Sequence, residues 1–114
     1  MVKLTICLKR KQGMSHEDFA RHWRNVHGPL VLGVADFMRH VRKYVQSDIL
    51  NDSIPQMPAS GFDGVVELWF DTPEAMGAAL QEPSYHQLIR PDEEKFIDHS
   101  GVVLFVLREV AIHG

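Results

Sequence analysis

A chain of 114 residues is long enough to bury one core and too short for two, so a single domain spanning residues 1–114 is expected. Its formal net charge is only −3, with acids and bases interspersed, which excludes a basic nucleic-acid surface and a polybasic membrane anchor. Hydrophobic residues make up 45% of the chain. No run approaches the roughly 20 apolar residues of a membrane span, and the N-terminus lacks the apolar run of a signal peptide, so the expected location is the cytoplasm.

Val2, Leu4, Ile6 and Leu8 alternate with Lys3, Thr5, Cys7 and Lys9, the period of a strand with one apolar face. Cys7 is the only cysteine, which rules out an internal disulfide, and its place in a strand suits a small buried filler. Ser15 is placed to cap a helix whose first turn holds the acids Glu17 and Asp18. Phe19, Trp23 and Val26 recur on one face, and Gly28 and Pro29 provide the left-handed exit and the block that predict the helix end at His27. At about 100° per residue His27 falls roughly 80° from Phe19, at the edge of the apolar stripe, where its ring is expected to be half buried. Carbonyls of a last turn favour the imidazolium and burial favours the neutral ring, a balance suited to proton transfer near neutral pH. The plainer reading is that His27 caps the helix or bonds a nearby backbone group.

Pro29 opens a second short helical piece ending near Phe37, and a strand over about Arg39 to Asp48 sets Tyr44 opposite Val41 and Val45. The stretch 50–63, rich in Pro, Ser, Asn and Asp, reads as a long loop, either a lid or a passive connection. Gly64 to Phe70 is a third strand. Thr72-Pro73 then starts a helix, Pro83 interrupts it, and a further helical stretch from Ser84 to Asp98 is expected to be broken at Pro91. Gly101 to Val110 is a last strand with two apolar faces, which requires cover on both.

Strand, helix, strand, strand, helix, strand is the order of an α+β ferredoxin-like βαββαβ fold with a four-stranded antiparallel sheet and one face left open. The two-faced last strand, with Val65 and Trp69, predicts that a second copy covers that face, giving a homodimer. Glu67, on the same face, reads as a hydrogen-bonding group at that contact. The seven histidines form no HExxH or HxH pair, and no CxxC occurs, so no metal site and no cofactor are expected. His22, His40 and His113 read as solvated surface groups.

Several segments together, KRKQGMSHEDFARHWRNVHGPL, KYVQS, DGVVELWFDTPEA and PDEEKFID, resemble the EthD family of dimeric α/β-barrel proteins over nearly the whole chain. The resemblance implies two ferredoxin-like subunits packed sheet against sheet, each with a small cavity between sheet and helices. Family members are associated with bacterial degradation of organic compounds and with fungal dehydration or cyclisation of aromatic polyketides. The chain is also similar in pattern to methylmuconolactone isomerases, in which a helix-end histidine, a strand tyrosine and a cysteine before a Trp-Phe pair transfer protons. His27 and Tyr44 fall at comparable places, but Leu68 precedes Trp69-Phe70 here, so that particular mechanism is not expected.

The chemistry that fits is proton abstraction next to a carbonyl, by a dehydratase, cyclase or isomerase acting on an apolar cyclic or aromatic compound. His27 is the candidate base, Tyr44 the candidate donor to the developing enolate, and Asp92 the group that orients the imidazole through its other nitrogen. Trp23, Phe37, Trp69, Glu93 and Phe96 are the candidate substrate-binding residues. The plainer reading of Asp92 and Glu93, in the run DEEK, is an exposed charged helix turn. Two other readings are an accessory protein that binds a hydrophobic molecule for an oxidative pathway, and a haem- or oxygen-dependent oxidoreductase.

Overall fold

In the computed structural model, which describes residues 1–114, the alternation at the N-terminus forms β1 (Val2–Leu8). It is flanked by β3 (Gly64–Phe70) and β4 (Val103–Leu107), with β2 (Lys43–Ser47) beyond β3. Each adjacent pair is antiparallel in the order β2-β3-β1-β4. The register sets Leu4 against Leu68 and Ile6 against Val66, so these residues share one face with Tyr44. Thr5, Glu67, Trp69 and Phe105 share the other face. Helices cover only the first face, which makes the fold a ferredoxin-like α+β arrangement.

The first helix does not stop at His27. α1 (His16–His22) runs through a π-helical turn, Trp23–His27, directly into α2 (Gly28–Leu32), and Gly28 has right-handed helical dihedrals rather than the expected left-handed exit. The expected cap is present, with Ser15 accepting from the Asp18 amide at 3.1 Å. The same device recurs later. A π-helical turn at Tyr85–Ile89 leads into α5 (Arg90–Phe96), so the expected break at Pro91 does not occur. In both places the wide turn is followed by one residue and then a proline, Pro29 or Pro91. A proline in a regular helix clashes with the carbonyl four residues back and supplies no N–H, and the widened turn relieves that conflict.

The inserted residue also changes which side chains face inward. Relative to a regular helix, everything after the wide turn is rotated by about 100°, which brings His27 to within roughly 20° of Phe19 and swings Val26 out. His27 is accordingly buried, with 6% of its surface exposed, whereas Val26, expected on the apolar stripe, is 47% exposed.

After α2 the chain forms α3 (Ala35–Met38). The amides of Arg39, His40 and Val41 turn back onto Ala35, Phe37 and Met38, which delays β2 to Lys43. α4 (Pro73–Gln81) is capped by Thr72 as expected, its hydroxyl accepting from the Ala75 amide at 3.0 Å. Residues 50–63 are irregular apart from a short turn at Asn51–Ser53 and contribute no wall to the cavity described below, so the lid reading finds no support there. The core is built on Phe19, Trp23, Phe70, Ile89 and Phe96, all essentially inaccessible. Trp23 lies flat over Gly64, where a Cβ would meet its ring at 2.5 Å, so only glycine fits that strand position.

Candidate active site

A cavity of about 350 Å³ lies between the inner sheet face and the helices. Fifteen of its nineteen lining residues are hydrophobic, which fits it to an apolar guest. Leu4, Ile6, Val66 and Leu68 form its floor, and Trp23, Val31, Phe37 and Ile89 its helical walls. The other four lining residues are His27, Arg90, Glu93 and His99, and Tyr44 and Tyr85, among the fifteen, add a hydroxyl each.

His27 enters from the π-helical turn. Its Nδ1 lies 2.7 Å from Oδ2 of Asp92, a buried carboxylate on α5. Burial pushes the Asp92 carboxyl up, but hydrogen bonds from His27 and His22 and their charges outweigh it and hold the group below its ordinary value. An ionised carboxylate only accepts, so the imidazole hydrogen sits on Nδ1 and leaves Nε2 as the free nitrogen. Phe96 packs behind the ring at a centroid distance of 5.0 Å. His22, expected at the solvated surface, instead donates from Nε2 to both oxygens of Asp92 at 3.1 Å. The wide turn explains this too. His22 and His27 are five residues apart, which would point them about 140° apart on a regular helix but nearly aligns them across a π-helical turn.

Tyr44 is oriented by a short chain of side chains. Arg24 Nε donates to Gln46 Oε1 at 2.8 Å, which fixes the amide, and Gln46 Nε2 donates to the Trp23 carbonyl at 3.0 Å and to Tyr44 Oη at 3.1 Å. Tyr44 therefore accepts from the protein and keeps its own hydrogen free. Burial raises its pKa, with the Glu93 charge adding to the shift against the Gln46 hydrogen bond, so the phenol stays a neutral donor.

Tyr85 uses its hydrogen differently, donating to Glu93 at 3.1 and 3.2 Å, while His99 Nε2 lies 3.4 Å from Glu93 Oε1. Burial and then the adjacent Glu93 charge push the Tyr85 phenol far above its ordinary value.

Of the residues singled out from sequence, His27, Tyr44, Trp23, Phe37 and Glu93 line this cavity. Asp92 lies behind His27 and reaches the cavity only through it. Phe96 is fully buried as packing under His22 and His27 rather than as cavity wall. Trp69 is a correction, because period-two alternation places it on the outer sheet face, between Lys3 and Lys43 and donating to Glu109 at 2.7 Å. Glu67, on that face, pairs with Lys3 at 2.8 Å. His40, also expected in solvent, lies 3.0 Å from Glu82, whereas Cys7 sits half-buried on the outer face rather than in the core. Sequence reading missed His22, Gln46, Tyr85, Arg90 and His99. The one signal that pointed to part of this set was the pair of prolines inside helical periodicity, which marks the wide turns.

The fold and cavity define a ferredoxin-like α+β protein with a histidine-carboxylate pair against an apolar chamber. Residues 11–100 match the EthD domain, and the chain belongs to that family. It is similar to the dehydratase ustZ of Ustilaginoidea virens, 31% identical over 97 residues covering 78% of this chain and 69% of the relative. It is similar also to a decarboxylase of Claviceps purpurea, 29% identical over 124 residues covering 97% of this chain and 86% of the relative. Among solved structures, an EthD-family protein from Bacillus halodurans superposes with a TM-score of 0.72 at 22% identity, covering 96% of this chain and 99% of the other. A dimeric ferredoxin-like protein from Bacteroides fragilis has a TM-score of 0.69 at 11% identity, with 95% of each chain covered. No helix is long and apolar enough to cross a membrane.

Proposed function

We propose that this chain is a small enzyme that moves protons at carbon next to the carbonyl of an apolar cyclic or aromatic compound, with His27 as the base. The observation that carries this reading is the short Nδ1 contact to Asp92, which turns the free Nε2 of a buried ring toward an apolar cavity. In a dehydration, Nε2 takes the proton from the carbon beside the carbonyl. The Tyr44 hydroxyl donates to the carbonyl oxygen as negative charge develops there. The β-hydroxyl then departs, takes the proton back from the imidazolium as water, and leaves a carbon–carbon double bond. Asp92 stabilises the imidazolium without itself becoming protonated.

The names of the curated relatives support this frame, since dehydration and decarboxylation share a step. Loss of carbon dioxide from the carboxylate of a β-keto acid leaves the same kind of enolate, which Tyr44 would stabilise and a protonated His27 would quench at carbon. The chemistry draws on side chains alone and requires no cofactor. We further infer that the working unit is a homodimer joined through the outer sheet face. Val103, Phe105 and Leu107 lie there 40%, 47% and 38% exposed, more apolar surface than a lone sheet face should leave in water. A dimeric neighbour of the same fold is consistent with this.

The test uses 1-tetralone, a bicyclic ketone with an exchangeable CH₂ beside its carbonyl, incubated with the protein in deuterated buffer. Uptake of deuterium at that carbon by the wild type, falling to background in His27→Ala, is the expected result. Uptake that His27→Ala leaves unchanged overturns the assignment, and tight binding without uptake identifies a carrier rather than an enzyme.

A further inference from the structure

The cavity has a second polar position that the proton-transfer chemistry does not use. Glu93 projects into it from α5, one residue after Asp92, with its side chain only 17% exposed. A carboxylate has about four acceptor positions. Glu93 receives one shared hydroxyl, from Tyr85 at 3.1 and 3.2 Å, and one long contact from His99 at 3.4 Å. Both oxygens therefore have a partner, and the acceptor positions left over on the cavity side are open to a further donor. Tyr85 has already given its only hydrogen, so it too offers just lone pairs to whatever lies beside it. Tyr44 keeps a free hydrogen on the cavity side, but the carbonyl of the proposed chemistry claims it.

The charge balance decides what kind of donor is wanted. Arg90 lines the same end of the cavity, within range of both Tyr85 and Glu93. Its guanidinium offsets the carboxylate, so this end attracts neither a free anion nor a cation strongly. A neutral O–H fits, set among the apolar and aromatic side chains that make up most of the lining.

We propose that Glu93, held by Tyr85 and His99, is a binding subsite for a neutral hydroxyl of the substrate, so that the ligand is an aromatic ketone bearing a phenolic hydroxyl besides its carbonyl. This rests on the cavity being the substrate site. It does not depend on His27 being the base.

The test is calorimetric binding of 5-, 6- and 7-hydroxy-1-tetralone, each against its own methyl ether, at about pH 6, where the phenols are neutral. The ether keeps the acceptor and removes the donor. At least one isomer is expected to bind the wild type about tenfold or more tightly than its ether. In Glu93→Gln, which keeps the volume and removes the charge, that preference is expected to fall below about threefold, and Glu93→Met should abolish it. A wild type that binds every ether as well as its phenol overturns the subsite. So does a preference that survives both variants, or a uniform weakening of phenol and ether with their ratio preserved, which is the mark of a structural carboxylate. Tighter binding of the cationic aminomethyl analogue than of any phenol would make this a cation site and overturn the neutral-donor assignment. Failure of all ketones to bind the wild type removes the cavity as a ketone site and overturns both readings, whereas loss of deuterium uptake with the phenol preference intact removes only the base.

Discussion

Asp92 is the residue on which the site turns. One carboxylate, 3% exposed, accepts from two histidines and lies 3.7 Å from Lys95. Its pKa is lowered in the folded state, so its contribution to stability is complete above the unfolded value of 3.8 and is lost as pH falls through the lower folded value. Asp92→Asn is therefore expected to be less stable than the wild type at neutral pH, and the difference should shrink as pH falls below about 4, as read by urea unfolding across that range. A constant difference from pH 7 to pH 2 would contradict the ionised pair. The same variant loses the group that holds the Nδ1 tautomer, and deuterium uptake by 1-tetralone should fall roughly 100-fold or more. At this scale His27, Tyr44 and Asp92 were legible because a capped helix, an alternating strand and an acidic helix turn fixed their positions. His22 was not, because its partner is seventy residues away and its direction depends on a helical turn that regular periodicity does not contain.

The wide turns carry that lesson at the level of elements. A regular wheel places Val26 inside and His27 at the edge, and the structure reverses them. By sequence Pro29 predicts a stop and Pro91 a break, yet each sits in a helix that continues, because widening the preceding turn answers the same steric conflict as ending the helix. Such turns recur at functional sites, and here one of them aims the His27 ring and holds two histidines on one carboxylate. The strand beneath is equally constrained. Gly64→Ala drives a methyl group into Trp23, which roofs the position and walls the cavity. It is expected to cost about 1–3 kcal/mol in thermal or urea unfolding and to weaken tetralone binding with it. An unchanged midpoint would show that Trp23 can move aside. The strands themselves were legible throughout, since period-two alternation survives any tertiary context that buries one face, although β2 and β4 proved shorter than their apolar runs.

At the scale of the whole molecule, the sheet separates two tasks. Its inner face builds the chamber, and its outer face, with Phe105, Trp69 and the Lys3–Glu67 pair, carries the proposed dimer contact. The β-strand order and the open face followed from the succession of elements, and alternation along β3 sets Trp69 with Val65 on that open face, which is incompatible with a place for it in the cavity wall. Phe105→Arg puts a charge at the centre of the proposed contact and is expected to shift sedimentation from dimer to monomer at micromolar protein, while the inner-face cavity keeps its walls. A variant that stays dimeric would place the interface elsewhere.

The proposed chemistry depends on a free imidazole nitrogen of His27 facing a ketone-binding chamber. Long-range ¹H–¹⁵N correlation of the histidine rings at about pH 8 addresses it directly. The bond to Asp92 requires a proton on Nδ1 of His27, and the Nε2 resonance is expected to move when 1-tetralone is added while that of exposed His113 does not. A ring protonated at Nε2, or an Nε2 signal indifferent to the ketone, would contradict it.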